Sequence, residues 1–535
     1  MTKKRRIIYS SLLAIFVIIL LVVFIILPIT IENKIKKELS KDDIIPNYII
    51  KYKDLRYYFF SSTIHIDSLS IVPKSSSEKG ENGMENMPIR IDFHTSNFQV
   101  SLKSPFAIFK EKKDLELQLK LINPKLSILH NANFTIPKLK NMGKQGISIS
   151  LSNLKIKNGS FSYKTTDNRS MHEFIIDNLN VDNIVIDEFL SSSKSPSLKV
   201  SDIRLSNINS HFKNSLYYNS ADRLYYSDKK KILSAHNIKV APQIGYIKYF
   251  KHFKYQTDCY KAQINNIKIN EFDLSEIIEK KPLNINYIKG NGLTLEVIRD
   301  MNYPNNTSSE RKTPIEQINS IPFPISIDSL LFSGSNITYN EVIKNRKDLR
   351  EIGLNQLNLK IKDIHNSTHN KHVNKTLSII SSGKIMNKGK FNSLLEFPYQ
   401  GKDIMKFSGT LDSINFYDFN PLLGADSRIK IDSGQLISLT YNGTANRTDS
   451  KGEVEFIYSN LDVKLLNKKR SGENELETFL INSIIRNSNP KEKGEKPIKS
   501  KMKFERDPYR SVYNYLWRSI YSGIKRTLGI PSLKK

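Results

Sequence analysis

The sequence predicts a mainly β protein, held by one N-terminal transmembrane helix and ending in an amphipathic helix. Three observations predict it: one long apolar segment near the start, an apolar pattern that recurs along the chain without a helical face, and a helical stripe at the end.

The apolar segment runs from Ile7 to Leu27, with only Tyr9, Ser10 and Ser11 polar. As a helix its roughly 21 residues would measure about 31 Å, enough to span a hydrocarbon core. Lys3, Lys4, Arg5 and Arg6 precede it. The positive-inside bias then keeps residues 1–6 cytoplasmic, assigns 7–28 to the membrane and sends the rest across it. A cleaved signal peptide is the alternative, but its apolar region would be shorter, and Leu27-Pro28-Ile29-Thr30-Ile31 offers no small-residue cleavage site.

Beyond the anchor the chain is polar on average, and the mean hydropathy of the whole is -0.41. The 535 residues can bury a sizeable core, and the single cysteine, Cys259, cannot form an internal disulfide, so packing must hold the fold. Lysine and arginine outnumber aspartate and glutamate 82 to 53, a net charge of +29 that favours anionic surfaces. The cations are scattered rather than gathered on one motif, and export would separate the chain from the genome. Anionic lipid is therefore the expected partner and nucleic acid is not.

The recurring pattern places apolar residues at i, i+2, i+5 and i+7, usually with Asn, Ser or Asp in the central pair. Clear copies are Ile64/Ile66/Leu69/Ile71, Ile149/Leu151/Leu154/Ile156, Phe174/Ile176/Leu179/Val181, Leu198/Val200/Ile203/Leu205, Ala262/Ile264/Ile267/Ile269, Ile325/Ile327/Leu330/Phe332, Ile352/Leu354/Leu357/Leu359 and Phe456/Tyr458/Leu461/Val463. Leu233/Ala235/Ile238/Val240 and Gly409/Leu411/Ile414/Phe416 are weaker. On a helix the four positions would point to about 0°, 200°, 140° and 340°, with no common face. On a strand each half alternates with period two, and a β-bulge at the polar pair would keep all four side chains on one face. A short turn between two tiny strands is the other reading, and it is β as well.

A longer unit is duplicated: Ile149 to Tyr163, with Gly159, is echoed by Ile325 to Tyr339, with Gly334. Each is followed by a further copy of the pattern, so the unit reads as strand, Asn-Gly or Ser-Gly turn, strand, polar loop, strand. Polar links at Lys74–Asn86 and Asn302–Pro314 suggest module boundaries, giving β-repeat regions over 29–300 and 301–466. The tract 467–505 reads as a polar, partly disordered linker. From 506 to 535 the chain reads as an amphipathic helix with Asp507 as N-cap and Pro508 at N1. Its stripe is Tyr509, Val512, Tyr513, Leu516, Trp517, Ile520, Ile524 and Leu528, with Arg510, Arg518, Lys525 and Arg526 alongside. Two uses are open: covering the end of the β-structure, or meeting a membrane interface through Tyr513, Trp517 and Arg518.

Catalytic and metal signatures are missing from the sequence. His365, His369 and His372 cluster in a polar loop with no carboxylate close behind, and Cys259 has no neighbouring histidine. No G-x-S-x-G, P-loop, H-E-x-x-H or dinucleotide fingerprint occurs. The expectation is a non-enzyme without cofactor or metal.

Several stretches carry a resemblance: the anchor followed by Lys53-Asp54-Leu55 through Ile71, then Phe407-Ser408-Gly409-Thr410-Leu411, Asn420-Pro421-Leu422-Leu423-Gly424 and Ile431-Asp432-Ser433-Gly434. Tyr458 to Val463 and Tyr515-Leu516-Trp517 through Gly529 complete it. In these the chain resembles the AsmA-like proteins of Gram-negative envelopes, in the shorter form found in Bacteroidota. The resemblance implies an inner-membrane helix and an elongated antiparallel periplasmic β-groove lined by apolar side chains, taking part in phospholipid transport and outer-membrane biogenesis. Its partners would be phospholipid acyl chains, the inner membrane, and outer-membrane or other envelope proteins. The groove candidates are Ile64, Ile66, Leu69, Ile71, Ile149, Leu151, Leu154, Ile156, Ile325, Ile327, Leu330 and Phe332. Two other readings compete: an envelope scaffold or regulator binding proteins through the same β-surface, and a cryptic hydrolase. In a conduit the apolar face stays open, and in a scaffold a second layer closes it.

Overall fold

The computed structural model describes residues 25–41, 45, 47–74, 89–102, 116–131, 147–166, 171–189, 197–212, 215–278, 281–343, 349–366, 376–423, 428–467, 473–492 and 494–530. Strand accounts for 62% of it and helix for 14%, the mainly β content that the recurring pattern predicts. The basic tail and most of the 7–28 anchor lie outside the described residues. Among those described, no helix is long and apolar enough to cross a membrane.

The chain divides into two compact units, Met1–Ala235 and His236–Lys535. The first contains β1 (Tyr48–Lys51), β2 (Asp54–Tyr58), β3 (Thr63–Pro73), β4 (Ile89–Leu102), β5 (Glu116–Ile122), β6 (Lys125–His130), β7 (Ile147–Thr165), β8 (Met171–Phe189), β9 (Ser197–Lys199), β10 (Asp202–Phe212) and β11 (Tyr217–Ser227). Several of these are collinear pieces of one longer strand. β1 and β2 share β3, β5 and β6 share β4, and β9 and β10 share β8, each pair in a single register. The order is therefore β1/β2, β3, β4, β5/β6, β7, β8, β9/β10, β11.

The division falls within β12 (Ile232–Pro242). The second unit continues with β13 (Asp258–Asn270), β14 (Leu283–Asp300), β15 (Ile325–Val342), β16 (Leu349–His365), β17 (Thr376–Ile385), β18 (Gly389–Pro398), β19 (Met405–Asn415), β20 (Ile429–Ala445), β21 (Asp449–Leu465) and β22 (Lys499–Glu505). From β13 to β22 each strand pairs with the next. A boundary at residue 300 is not where the units separate, because β14 pairs along its whole length with β15.

The antiparallel expectation holds for most pairs and fails at two equivalent places. β5 and β6 run parallel to β7, and β14 runs parallel to β15. Parallel neighbours need a long return, which 131–146 and 301–324 supply. These are the starts of the two copies of the duplicated unit, so the duplication extends to strand direction. The expected Asn-Gly and Ser-Gly turns are corrected too. β7 runs straight through Asn158-Gly159 and β15 through Ser333-Gly334.

What those polar pairs do instead is visible in the backbone. Ser68, Asn237, Gln356 and Asn460, each the second residue of a central polar pair, take positive φ of 52°, 50°, 50° and 54° inside unbroken strands. The short-turn reading is thereby excluded at these copies. A left-handed residue reverses the alternation, so Leu69 packs with Leu55 and Ile66 on one face despite the three-residue step. Asn tolerates this conformation better than other residues with a Cβ, which explains its frequency here. In the first unit the irregular positions fall side by side. Ser68 lies opposite Ser96, Asn123 beside Asn158, and Asn207 opposite Asp177. Asn123 donates to Ser96 Oγ at 3.0 Å, Asn158 to Asn123 Oδ1 at 3.0 Å, and Asn207 to Asp177 Oδ2 at 2.8 Å. Because most strands carry the extra residue, register passes this line unshifted. The expected one-sided bulge occurs at Ser152, where β7 shifts against β5 in the Ile149 copy, and where β15, β16 and β17, or β20 and β21, change register.

Asn158, at φ 52°, provides a test of this line. Asn158→Gly should be nearly neutral, whereas Asn158→Val should destabilise by about 1–3 kcal/mol, since a β-branched residue is strained there. Equal urea midpoints for the two variants would contradict the left-handed assignment.

Of the tract 467–505, expected to be a polar, partly disordered linker, the described residues are built into the second unit. They form a helix, Glu475–Ile484, and the strand β22 on β21. Their polar side chains bond backbone and neighbours: Thr478 Oγ1 accepts from Leu465 N at 2.9 Å, and Asn482 donates to Asp462 Oδ1 at 2.8 Å. The Asn302–Pro314 link is likewise tied down, Arg311 N donating to the Pro508 carbonyl at 2.8 Å.

Candidate functional site

Register assembles the apolar positions of the first unit into transverse rows. One row is Tyr57, Ile64, Val100, Leu119, Leu154, Val181, Ile203 and Tyr226, each directly opposite the next. Two residues along each strand lies a second: Leu55, Ile66, Phe98, Leu121, Ile156, Leu179, Leu205 and Leu224. Across the line of irregular residues a third contains Ile71, Phe93, Leu126, Phe161 and Phe174, with the last two rings 6.1 Å apart. At about 4.8 Å per strand the first two rows extend roughly 34 Å, more than twice the ~15 Å that one leaflet's acyl chains occupy.

These rows do not form an ordinary core. Val100, Leu119, Leu154, Leu179, Ile203 and Leu205 are half-buried. Among the described residues the one helix of this unit is Leu27–Leu39, and its Ile31, Ile35 and Leu39 pack over Tyr57, Leu55 and Ile66 at one end of the rows. The opposite face is polar, with one basic row of Arg56, His65, Gln99, Lys120, Lys155, Asn180 and Arg204, flanked by rows that contain Asp54 with Asp67 and Asp182 with Asp202. Burial and the nearby cations Lys120 and Arg56 hold the His65 imidazole below its ordinary pKa. Burial raises the Asp182 carboxyl, but hydrogen bonds from Arg204, Asn153 and Asn180 outweigh it and hold the group below the usual aspartate value.

The second unit, taken by itself, has a row of the same kind that becomes closed toward its C-terminal strands. The row Ile269, Ile288, Leu330, Ile361, Ile379, Leu395, Phe407 is half-buried at Leu330, Ile361 and Ile379 and buried from Leu395 onward. There the helix Val512–Thr527 lies on β21 and β22, and its Val512, Tyr515, Ile520 and Ile524 join Phe397, Met405, Leu436, Val454 and Met502 in one core. Gly523 permits the close approach, since a Cβ there would sit 2.9 Å from Val454 Cβ.

Ile64, Ile66, Leu154 and Ile156 thus share the rows of the first unit, Ile71 stands in the third row, and Leu69 packs beside them. Leu151 is paired with Leu117 and Ile184; Ile149 is paired with Ile186, its side chain lying outside the described set. Ile325 is buried, Ile327 and Leu330 half-buried, and half-buried Phe332 lies over Gly290, where a Cβ would come within 2.2 Å of its ring. Sequence reasoning missed Phe98, Leu119 and Leu121, although the plain alternation Leu117-Gln118-Leu119-Lys120-Leu121 signalled them.

The helix begins at Val512 with Ser511 as N-cap, its side chain accepting from Asn514 N, four residues beyond the expected Asp507. Asp507 instead closes a turn, accepting from Tyr509 N at 3.0 Å. Tyr513, Trp517 and Arg518 are exposed and take no part in the core. His365 is buried in β16 and stacked on Tyr399, 3.9 Å between centroids, rather than in a loop; His369 and His372 lie outside the described residues. Cys259 is buried in β13. Among the described residues no group of three His, Cys, Asp or Glu side chains could hold a metal ion. No family model matches the chain, and no curated protein matches it in sequence.

Proposed function

We propose that this protein carries the acyl chains of phospholipids on the apolar rows of its first unit, as an AsmA-like envelope protein taking part in lipid transport between membranes. One observation carries the reading: eight strands hold apolar side chains in register across about 34 Å, and most of the middle of that surface is half-buried, Leu121 and Val181 being buried. An apolar surface of this extent in water is unfavourable at roughly 25 cal/mol per Å², and acyl chains would remove that cost. The polar opposite face keeps the sheet soluble, and its basic row is attractive to anionic head groups. The role is non-catalytic. The closed core of the second unit favours a scaffold part for that region.

Native mass spectrometry of the detergent-purified chain, with lipidomics of what dissociates, tests the reading. Phospholipid adducts surviving detergent exchange are expected, and a bare polypeptide under the same conditions would exclude it.

The proposed location is the inner membrane, N-terminus inside and the rest periplasmic, as the charges before Ile7 require. A reporter fused after Lys535 should be active only outside the cytoplasm, and cytoplasmic activity would overturn this topology.

A further inference from the structure

The C-terminal helix has two faces with different work. Val512, Tyr515, Ser519, Gly523 and Thr527 are buried against the sheet, and the contact is pinned by Ser519 Oγ to Ser450 Oγ at 2.7 Å and Thr527 Oγ1 to Ser500 Oγ at 2.9 Å. That fixes what the other face presents. Tyr513, Trp517, Tyr521 and Lys525 succeed one another at four-residue spacing, a single line along the helix. Tyr513 is 56% exposed and Trp517 54%. The Trp517 and Tyr521 rings stack at 5.8 Å, and Lys525 Nζ sits 5.0 Å above Tyr521. Arg518 is exposed beside them, and Val512–Thr527 contains no Asp or Glu.

We propose that this face docks on the surface of an anionic phospholipid bilayer, with Trp517 and Tyr513 at head-group depth, Tyr521 half-buried behind Trp517 and partly packed on the core, and Arg518 and Lys525 against lipid phosphates. Amphipathic rings prefer that depth because one edge is apolar and the other hydrogen-bonds water, and cations of one sign suit a uniformly negative plane. A protein partner would more commonly be met by charges of both signs and a pocket, and this ridge has neither. The inference is independent of whether the apolar rows carry lipid, since it uses none of their residues.

Trp517 is the sole tryptophan of the chain, so its fluorescence reports this face alone. The full chain, reconstituted in nanodiscs of neutral phosphatidylcholine, would be mixed with vesicles of phosphatidylcholine or of phosphatidylcholine with phosphatidylglycerol. A blue shift of emission, with quenching by lipids brominated near the head group, is expected for the anionic vesicles. At about 1 kcal/mol per cation near the surface, the double change Arg518→Gln with Lys525→Gln should weaken partitioning about 30-fold. Its thermal transition should be unchanged, because neither side chain enters the core. Unaltered emission with anionic vesicles, equal shifts with neutral ones, or wild-type binding by the double variant would each overturn the proposal. A shift produced by an added envelope protein in the absence of vesicles, with none from the vesicles themselves, would likewise overturn it.

Discussion

Glutamate at Val454 is expected to destroy the second unit, whereas glutamate at Leu154 is expected to leave abundance intact and abolish lipid binding. Val454 is 0% exposed, on β21 beneath Gly523 of the C-terminal helix. A carboxylate there has no cation within the apolar cluster, and an uncompensated buried charge costs about 3–5 kcal/mol or more, a large share of a unit's stability. Leu154 is half-buried on a face that no described helix covers beyond its end. A carboxylate at that position reaches water, so its cost is mainly the lost burial of leucine, about 1.5–3 kcal/mol at most. The same charge also obstructs acyl chains lying along the row. Leu330→Glu, in the half-buried part of the second unit, should likewise leave abundance intact, while lipid crosslinks on the rows of the first unit persist. The measurements are protein abundance, the denaturation midpoint and photo-crosslinking to lipid. Loss of the Leu154→Glu protein, or undiminished crosslinks in that variant, would count against an open lipid-bearing face.

The second large effect belongs to Asn489. This side chain is fully buried, and every one of its polar atoms is engaged with backbone. Its Nδ2 donates to the carbonyls of Phe456 at 2.6 Å and Ile498 at 3.2 Å, and its Oδ1 accepts from Ile498 N at 2.8 Å. Its own backbone exchanges hydrogen bonds with Tyr458 at 2.9 and 3.1 Å. Asn489→Ala keeps the backbone pair but leaves the Ile498 N–H and the carbonyl of buried Phe456 without their side-chain partner. The expected loss is about 2–4 kcal/mol, visible as a lower urea midpoint with an unchanged slope. Asn489→Asp should lose at least as much, since it forfeits both donated bonds and buries a charge. A midpoint within experimental scatter of the wild type for Asn489→Ala would mean that this asparagine does not tie the 486–498 segment to β21.

Much of this architecture was readable in the residues. At four copies the three-residue step marked where the backbone turns left-handed, as at Ser68 and Asn460, and at the Ile149 copy it marked a bulge at Ser152. Strand direction was not readable: period two looks the same in Leu283–Asp300 whether its neighbour runs with it or against it, so the parallel pairs came as a correction. Polarity also misled. Asn474, Thr478, Asn482 and Asn489 made 467–505 look like a solvated link, yet each satisfies backbone or a neighbouring side chain that would otherwise be unpaired. The helix start was misplaced for a related reason. Asp507-Pro508 and Ser511 are both good capping signals locally, and packing of Val512 and Tyr515 on the sheet selects the second. The site was legible as a set of strands but not as rows, since rows depend on which residues register brings opposite one another.

The line of polar residues through Ser68, Ser96, Asn123, Asn158 and Asn207 also governs how such a sequence can change length. Deleting Asn158 alone would turn Phe161 and Tyr163 to the polar face while Phe174 and His172 opposite them stayed put, and inserting a residue would do the same. A gain or loss of one residue at this level is therefore tolerable only when neighbouring strands make it together. Whole strand pairs can be added or removed with the line intact. Lengthening by duplication of complete modules, as the Ile149 and Ile325 copies record, is the route that leaves every face where it was.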